Sequence, residues 1–325
     1  MAGNLKDISA FVTGATGFIG SHLTRRLVHE GAEVSIIARP NSKTFRIDDI
    51  LDKIRIYRLD LIDFNLVKQA VKDTKPQKVF HLAGHTNVER GFKTANDSVK
   101  DVQYTVNLLR SLQDIAHDCF IYTGTCEEYG DNPAPFREDQ NPNPVSAYSA
   151  SRVASTAYCQ MFHKTLGCPI IILRPFFTYG PYQKASRFIS NVILSGLKGE
   201  VLNMTWGEQT REFNYVSDIV DGFIKASVNK EAIGEIINIG NGIEFTLKEM
   251  VEKVSAIMGN RLKVKYGALP YRPGETWHFY CDNTKAKRLL NWEPKMDLET
   301  GLRMTIDWYT KFYKILLKEE SCEGC

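Results

Sequence analysis

Thr13-Gly14-Ala15-Thr16-Gly17-Phe18-Ile19-Gly20 follows directly on the apolar run Ile8-Ser9-Ala10-Phe11-Val12, and Ser21-His22-Leu23-Thr24-Arg25-Arg26-Leu27-Val28 continues it as a helix. A strand that passes through three glycines into a helix is the βα turn that holds a pyrophosphate. Gly14 permits the tight turn, Gly17 lets the backbone approach the phosphates, and Gly20 lets the helix pack close on the strand. The free N–H groups and positive end of the helix then face the ligand's negative charge, with Phe18 and Ile19 at the same place. Glycine triplets alone often mark mere turns. This one sits between a strand and a helix at the N-terminus, which makes it a dinucleotide site.

NAD sites usually place an Asp or Glu about twenty residues past the glycines, to accept from the ribose 2′-OH. Here the second strand, Glu33-Val34-Ser35-Ile36-Ile37, ends in Ala38-Arg39-Pro40-Asn41-Ser42-Lys43, with no carboxylate. The stretch reads either as a solvated basic loop or as a set of donors for a 2′-phosphate, Arg39 backed by Ser42 and Lys43. The second reading makes NADP the expected cofactor and NAD the alternative.

The chain has 325 residues, enough for two lobes sharing a cleft. Its 43% hydrophobic and 24% charged residues suit a soluble globular enzyme with a sizeable core. A balance of 41 basic against 38 acidic residues argues against a nucleic-acid surface. No long apolar run suggests a membrane span, and the N-terminus lacks the layout of a signal peptide, so a cytoplasmic location is expected. Seven cysteines scattered through the chain make no disulfide framework. Cys322 and Cys325 form a C-x-x-C on a polar tail without a partner pair, so no metal site is expected.

Apolar strands at 54–59, 78–84, 119–123 and 169–174 alternate with helices at 64–72, 95–116 and 147–165. The 95–116 helix offers an apolar face at Val102, Val106, Leu109 and Leu112. Repeated βα units of this kind imply an α/β fold, a Rossmann-type doubly wound parallel sheet with helices on both faces. Ligands then lie beyond the carboxyl ends of the strands. After Pro175 the pattern loosens into helices at 187–199, 217–228, 246–258, 284–290 and 298–313, an extended stretch at 211–216 and a strand at 235–239. We expect a dinucleotide-binding domain over 1–175 with returning segments at about 208–240. A smaller, mostly helical lobe over 176–207 and 241–325 closes on the cleft.

Tyr148 and Arg152 stand four apart at the start of the 147–165 helix and project from one face. Such a pair is often ordinary surface. A tyrosine near a fixed cation and a threonine hydroxyl, however, has its pKa lowered and becomes a proton shuttle. Thr125-Cys126-Glu127-Glu128-Tyr129-Gly130, just after the fifth strand, supplies that threonine.

Together these pieces resemble the extended short-chain dehydrogenase/reductase family, in its NAD(P)-dependent nucleotide-sugar epimerase, dehydratase and 4-ketoreductase branch. The resemblance spans nearly the whole chain. It is carried by the glycine turn, Asp60-Leu61, His81-Leu82-Ala83-Gly84, Thr125, Tyr129-Gly130, Tyr148, Arg174-Pro175-Phe176, Tyr179-Gly180-Pro181, Gly207-x-x-x-Arg211, Asp218 and Arg272-Pro273-Gly274-Glu275. It implies that Asp60 and Leu61 contact adenine and that Ala83 and Gly84 line the cofactor. Thr125 and Tyr148 would meet the sugar's C4 oxygen, with Cys126 beside them, and Arg211 and Arg272 would grip the nucleotide. It also implies a homodimer formed through a four-helix interface from the 95–116 and 147–165 helices. The substrate would be a nucleotide sugar bound by the smaller lobe.

Two positions depart from that pattern. The family's tyrosine is normally followed four residues later by lysine, and this chain has Arg152. Phe177 stands where relatives often carry a substrate-facing Asn. Family reactions exchange hydride with a sugar carbon, usually C4, while the tyrosine moves the hydroxyl proton. A 4,6-dehydratase also needs a base and an acid from the triplet at 125–127; Glu127 suits the base, but Cys126 is a poor oxygen acid. The run Glu127-Glu128-Tyr129-Gly130 looks more like the 4-keto-6-deoxyhexose reductases. An NADP-type Arg39 suits a reductase that consumes reductant, without excluding a GDP-mannose-type dehydratase. The favoured expectation is therefore an NDP-4-keto-6-deoxyhexose reductase, with a 4,6-dehydratase or 4-epimerase as alternatives. A catalytically weak nucleotide-sugar and NADP sensor, marked by Arg152, is the reading from a different class.

Overall fold

Strand β1 (Ser9–Thr13) sends Ala10 and Val12 to one apolar cluster and Phe11 to another, and all three are buried. The two-residue period of a strand therefore feeds two separate cores, one on each face of a sheet. The computed structural model describes residues 5–89, 91, 94–272 and 274–320, with side chains up to 313. Cys322 and Cys325 lie outside the described residues, as does Pro273.

From β1 the chain enters α1 (Phe18–His29), then β2 (Glu33–Ala38), β3 (Ile54–Arg58), α2 (Phe64–Thr74), β4 (Lys78–His81) and α3 (Ala95–Ser111). It continues through β5 (Cys119–Thr123), α4 (Ala147–Leu166) and β6 (Ile170–Pro175). Beyond these come β7 (Thr178–Tyr179), α5 (Phe188–Lys198), β8 (Val201–Asn203), β9 (Thr210–Glu212), β10 (Asn214–Tyr215) and α6 (Val216–Val228). The last elements are β11 (Ile236–Ile239), β12 (Glu244–Thr246), α7 (Leu247–Ile257), β13 (Lys263–Lys265), α8 (Thr284–Leu290) and α9 (Leu298–Glu320).

Seven strands form the main sheet in the order β11-β6-β5-β4-β1-β2-β3, all parallel. The strand expected at 235–239 thus returns to the first sheet as its edge. One face is covered by α1, α6 and α8 through Leu23, Leu27, Ile219, Phe223 and Leu290, and the other by α2, α3 and α4 through Val67, Leu108 and Cys159. A third core joins α5, α7 and α9 around Val192, Val254 and Leu302. This is the doubly wound Rossmann-type architecture expected from the repeated βα units.

Local chemistry fixes the helix ends. Ser146 caps α4 by accepting from the Ser149 N–H at 3.1 Å, and Gly167 closes it at φ 69°. Helix α3 ends at Ser111, short of the expected 116. Beyond it, Gln113 and Ile115 bond to the carbonyls of Arg110 and Leu112 in i→i−3 turns, while Leu112 and Ile115 still pack into the core. The apolar spacing outlasts the α-helix. Its buried face also differs from expectation: Tyr104, Leu108, Leu109 and Leu112 are buried, whereas Val102 and Val106 are half-exposed.

Candidate active site

A cleft of about 490 Å³ opens at the carboxyl ends of β1, β4, β5 and β6. Its floor is the glycine turn. Gly14 has φ +74°, and a Cβ there would stand 2.7 Å from the Ala83 nitrogen; one on Gly20 would lie 2.1 Å from the Gly14 carbonyl oxygen. Gly17 caps α1 without a side chain, which leaves first-turn N–H groups aimed at the cleft. The turn has the shape and charge of a pyrophosphate cradle, and the residues present fit a dinucleotide. Gly14, Gly17, Phe18, Ile19, Gly20, Asp60, Leu61, Ala83 and Gly84 all line this one cleft.

Arg39 and Ser42 also line it, at the end of β2. Lys43 is exposed and is not among the lining residues. Arg46 lines the cleft instead, its guanidinium donating to the Tyr182 carbonyl at 2.9 Å and to the Thr16 carbonyl of the glycine turn at 3.5 Å. Beneath the floor, His81 is fully buried between the Thr13 and Thr105 hydroxyls at 2.7 and 3.1 Å. Burial and the nearby Arg152 push its pKa down to about 3, so the ring is neutral.

Thr125, two residues past the end of β5, caps a single 3₁₀ turn, Cys126–Glu128. Its hydroxyl accepts from the Glu127 N–H at 3.3 Å, and its own N–H donates to Glu128 at 2.9 Å. Glu128 is fully buried and pairs with Arg174 at 2.8 Å, while the Thr156 hydroxyl donates to it at 2.9 Å. Of the two adjacent carboxylates, Glu127 lines the cleft and Glu128 braces it from behind. The Cys126 thiol is buried and its pKa is pushed well up, chiefly by burial, with the charges of Glu127 and Glu212 adding.

Tyr148 and Arg152 enter from α4. The Arg152 guanidinium carbon lies 5.2 Å from the Tyr148 ring centre. Arg152 is 4% exposed and donates to the carbonyls of Thr123 and His85, each at 3.3 Å. The expectation of a lowered tyrosine pKa is corrected here. Burial raises the phenol, and this outweighs the opposing pull of Arg152 and the Thr125 hydroxyl.

Arg211 and Arg272 are not brought into the cleft lining. Arg211, on β9, pairs with Glu275 at 2.5 Å and donates to the carbonyls of Thr210 and Thr276. Its guanidinium sits 5.7 Å from the ring of Phe177, which does line the cleft. Arg272 is exposed. Sequence reasoning missed several lining groups: Arg46, His85, Tyr104, Lys184 and Arg187. His85 directly follows the His81-Leu82-Ala83-Gly84 run, which was the available signal. Arg187 reaches across to donate to the Thr86 carbonyl at 2.9 Å, a contact no local pattern foretells.

The NAD dependent epimerase/dehydratase family model matches residues 10–240. A dTDP-glucose 4,6-dehydratase of Haemophilus influenzae is 29% identical over 93% of this chain and 98% of its own length. A UDP-glucuronic acid decarboxylase 5 of Arabidopsis thaliana is 32% identical over 91% of this chain and 87% of its own. The structure of a Bacillus cereus UDP-glucuronic acid 4-epimerase in complex with UDP-glucuronic acid and NAD superposes with a TM-score of 0.84. It is 28% identical and covers 94% of this chain and 99% of that one.

Proposed function

This chain belongs to the NAD dependent epimerase/dehydratase family of enzymes, and within it we propose an NADP(H)-dependent reductase of nucleotide-linked 4-keto-6-deoxyhexoses. The observation that carries this reading is the wall of the cleft beside Thr125 and Tyr148. It is built from Cys126, Pro175, Phe176 and Phe177, an apolar surface that suits a C6 methyl group better than a hydroxyl. The buried Cys126 thiol, with its pKa pushed well up, is a poor acid for the C6 hydroxyl loss that a 4,6-dehydratase requires.

The cofactor supplies hydride to the sugar carbon when bound. Gly14, Gly17 and the start of α1 hold its pyrophosphate, Asp60 and Leu61 its adenine, Ala83 and Gly84 its flank, and Arg39 with Ser42 a 2′-phosphate. Thr125 holds the C4 oxygen. Tyr148 moves the C4 hydroxyl proton, and Arg152 holds positive charge beside it. Glu127 stands ready as a second base. Arg211, from the returning segment at about 208–240, and Arg272, from the smaller lobe over 176–207 and 241–325, hold the nucleotide against the dinucleotide domain at 1–175. We further propose a homodimer through α3 and α4. Their outer surfaces expose Val99, Tyr158, Met161 and Leu166, an apolar stripe that a second copy would cover.

A second reading has its own support. Lys184 and Arg187 line the same cleft and would suit the carboxylate of a uronate, the substrate class named for the decarboxylase and 4-epimerase relatives. Incubation with NADPH and NADP against GDP-, CDP-, UDP- and dTDP-sugars, their 4-keto-6-deoxy forms and UDP-glucuronate separates the readings. NADPH oxidation with a 4-keto-6-deoxy sugar is expected. Carbon dioxide release or C4 inversion of UDP-glucuronate, with no reductase activity, would replace the reductase reading.

A further inference from the structure

Behind Tyr148 lies a charge cluster that the proposed chemistry has not used. Asp101, on α3, is 1% exposed. It accepts the His85 backbone N–H at 2.9 Å and bonds the His85 ring Nδ1 at 2.8 Å, and its carboxylate stands 3.7 Å from Arg152 Nη2. One buried carboxylate is thus shared by a permanent cation and a titratable one. The His85 side chain is 32% exposed and lines the cleft, so it is the arm through which the cluster meets solvent. Gly84 makes the space for this arrangement. A Cβ there would lie 2.1 Å from Arg152 Nη2 and 3.0 Å from Asp101 Oδ2.

We propose that Asp101 and His85 are positioning residues for Arg152, fixing the guanidinium beside Tyr148 and setting how much of its charge the phenol feels. The inference rests on Tyr148 being the proton-transfer group. A lone guanidinium near a phenol favours the phenolate, and a carboxylate sharing it cancels part of that field. A protonated His85 engages the carboxylate from the other side and releases the arginine's charge to the phenol. Deprotonation of His85 reverses this. The cluster therefore makes the tyrosine responsive to the protonation of a residue on the cleft rim.

The surroundings are consistent with a titrating His85. Its hydrogen bond to Asp101 raises the imidazole, burial opposes, Asp101 and Asp97 raise it further, and Arg39 opposes from the end of β2. Tyr104 of α3 stacks on the ring at 6.5 Å. The other titratable neighbours of Arg152 are Tyr122 of β5, Tyr148, and His81 of β4, which burial keeps neutral.

The test combines an NMR titration of the His85 imidazole in the full chain with pH–rate profiles on a substrate from the panel above. Loss of one resonance in His85→Gln identifies the signal. In the parent, His85 is expected to titrate above the unperturbed value of about 6.5. Asp101→Asn should bring it down by about one unit, and should move the Tyr148-dependent limb of the profile about one unit toward acid. His85→Gln, a substitution at the rim, should remove the imidazole step from the profile. A parental His85 at or below 6.5, or a His85→Gln profile that superimposes on the parent's, overturns the proposal even where Asp101→Asn does not fold. Tyr148→Phe separates the two levels. If it turns over at the parental rate, the reading of Tyr148 falls and this proposal with it. If it is inactive while Asp101→Asn keeps the parental profile, only the present proposal falls.

Discussion

Glu212→Gln should flatten the pH dependence of stability. Glu212 lies on β9 next to Arg211 and is fully buried, with no cation against it among the described residues. Its carboxylate accepts the backbone N–H of Gly242 at 2.8 Å and of Cys281 at 3.3 Å, and the Asn214 amide at 3.3 Å. Burial nevertheless dominates and pushes its pKa up from 4.5 to about 7. A raised value means that the folded state holds the proton more tightly than the unfolded one. Between about pH 4.5 and 7 the unfolded chain releases the proton while the folded chain keeps it, so stability falls as pH rises through that window. At ~1.4 kcal/mol per pKa unit, the loss above pH 7 is ~3 kcal/mol relative to pH 4.5. Glutamine cannot titrate and copies the protonated form, so the variant should gain on the parent by about that amount between pH 4.5 and 8. Urea denaturation of both proteins, followed by fluorescence at half-unit pH steps, measures the difference. A difference that stays flat, or that falls with rising pH, refutes the assignment of the buried charge.

Four further outcomes follow from the site. NADP(H) should bind more tightly than NAD(H), and Arg39→Ala should lose at least about tenfold of that preference, as expected for a hydrogen bond to a charged group; fluorescence titration of both cofactors checks it. Tyr148→Phe should lower turnover by roughly 10²–10⁴ while leaving cofactor affinity nearly intact, since only the hydroxyl goes. Arg152→Lys should keep most of the turnover, because the charge remains, whereas Arg152→Ala should move the tyrosine limb about 1–3 units toward higher pH in the rate profile. Met161→Glu, in the exposed stripe of α4, should convert a dimer into monomers at micromolar concentration in sedimentation velocity; a monomeric parent would end the dimer proposal.

The glycine-turn side of the cleft was legible because it is local. Gly14, Gly17 and Gly20 act within one βα turn, and the ends of β2, β4 and β5 bring Arg39, Ala83 and Thr125 to the same edge as a consequence of parallel order. The end of α3 was not legible, because Leu112 and Ile115 keep a helical apolar rhythm while their hydrogen bonds change to i→i−3. Residue type alone does not separate Glu127 from Glu128; only the family triplet at 125–127 pointed to Glu127. Adjacent carboxylates look alike on paper, and only the packing of Arg174 and Thr156 against one of them sends the other to the cleft. Arg211, expected at the nucleotide, stands outside the cleft lining, paired with Glu275 from a segment 64 residues away.

Arg152 shows where a departure from a family pattern becomes intelligible only in three dimensions. Read alone, an arginine in place of lysine leaves both an active enzyme and a catalytically weak sensor open. In the fold, its longer side chain spans Thr123 and His85 and approaches Asp101, and it enters a space that any side chain at position 84 would close. Its planar fork fills two carbonyl contacts at once, which a single ammonium could not copy in the same geometry. A buried cation so placed needs a nearby anion, and Asp101 supplies it where a helix pattern would be read as solvated charge. The substitution is therefore one part of an arrangement that includes Gly84, Asp101 and His85. That coherence argues for a retuned proton-transfer site over a sensor that has lost its chemistry, because the positive charge stays beside the tyrosine and Thr125 and Glu127 still face the same cleft.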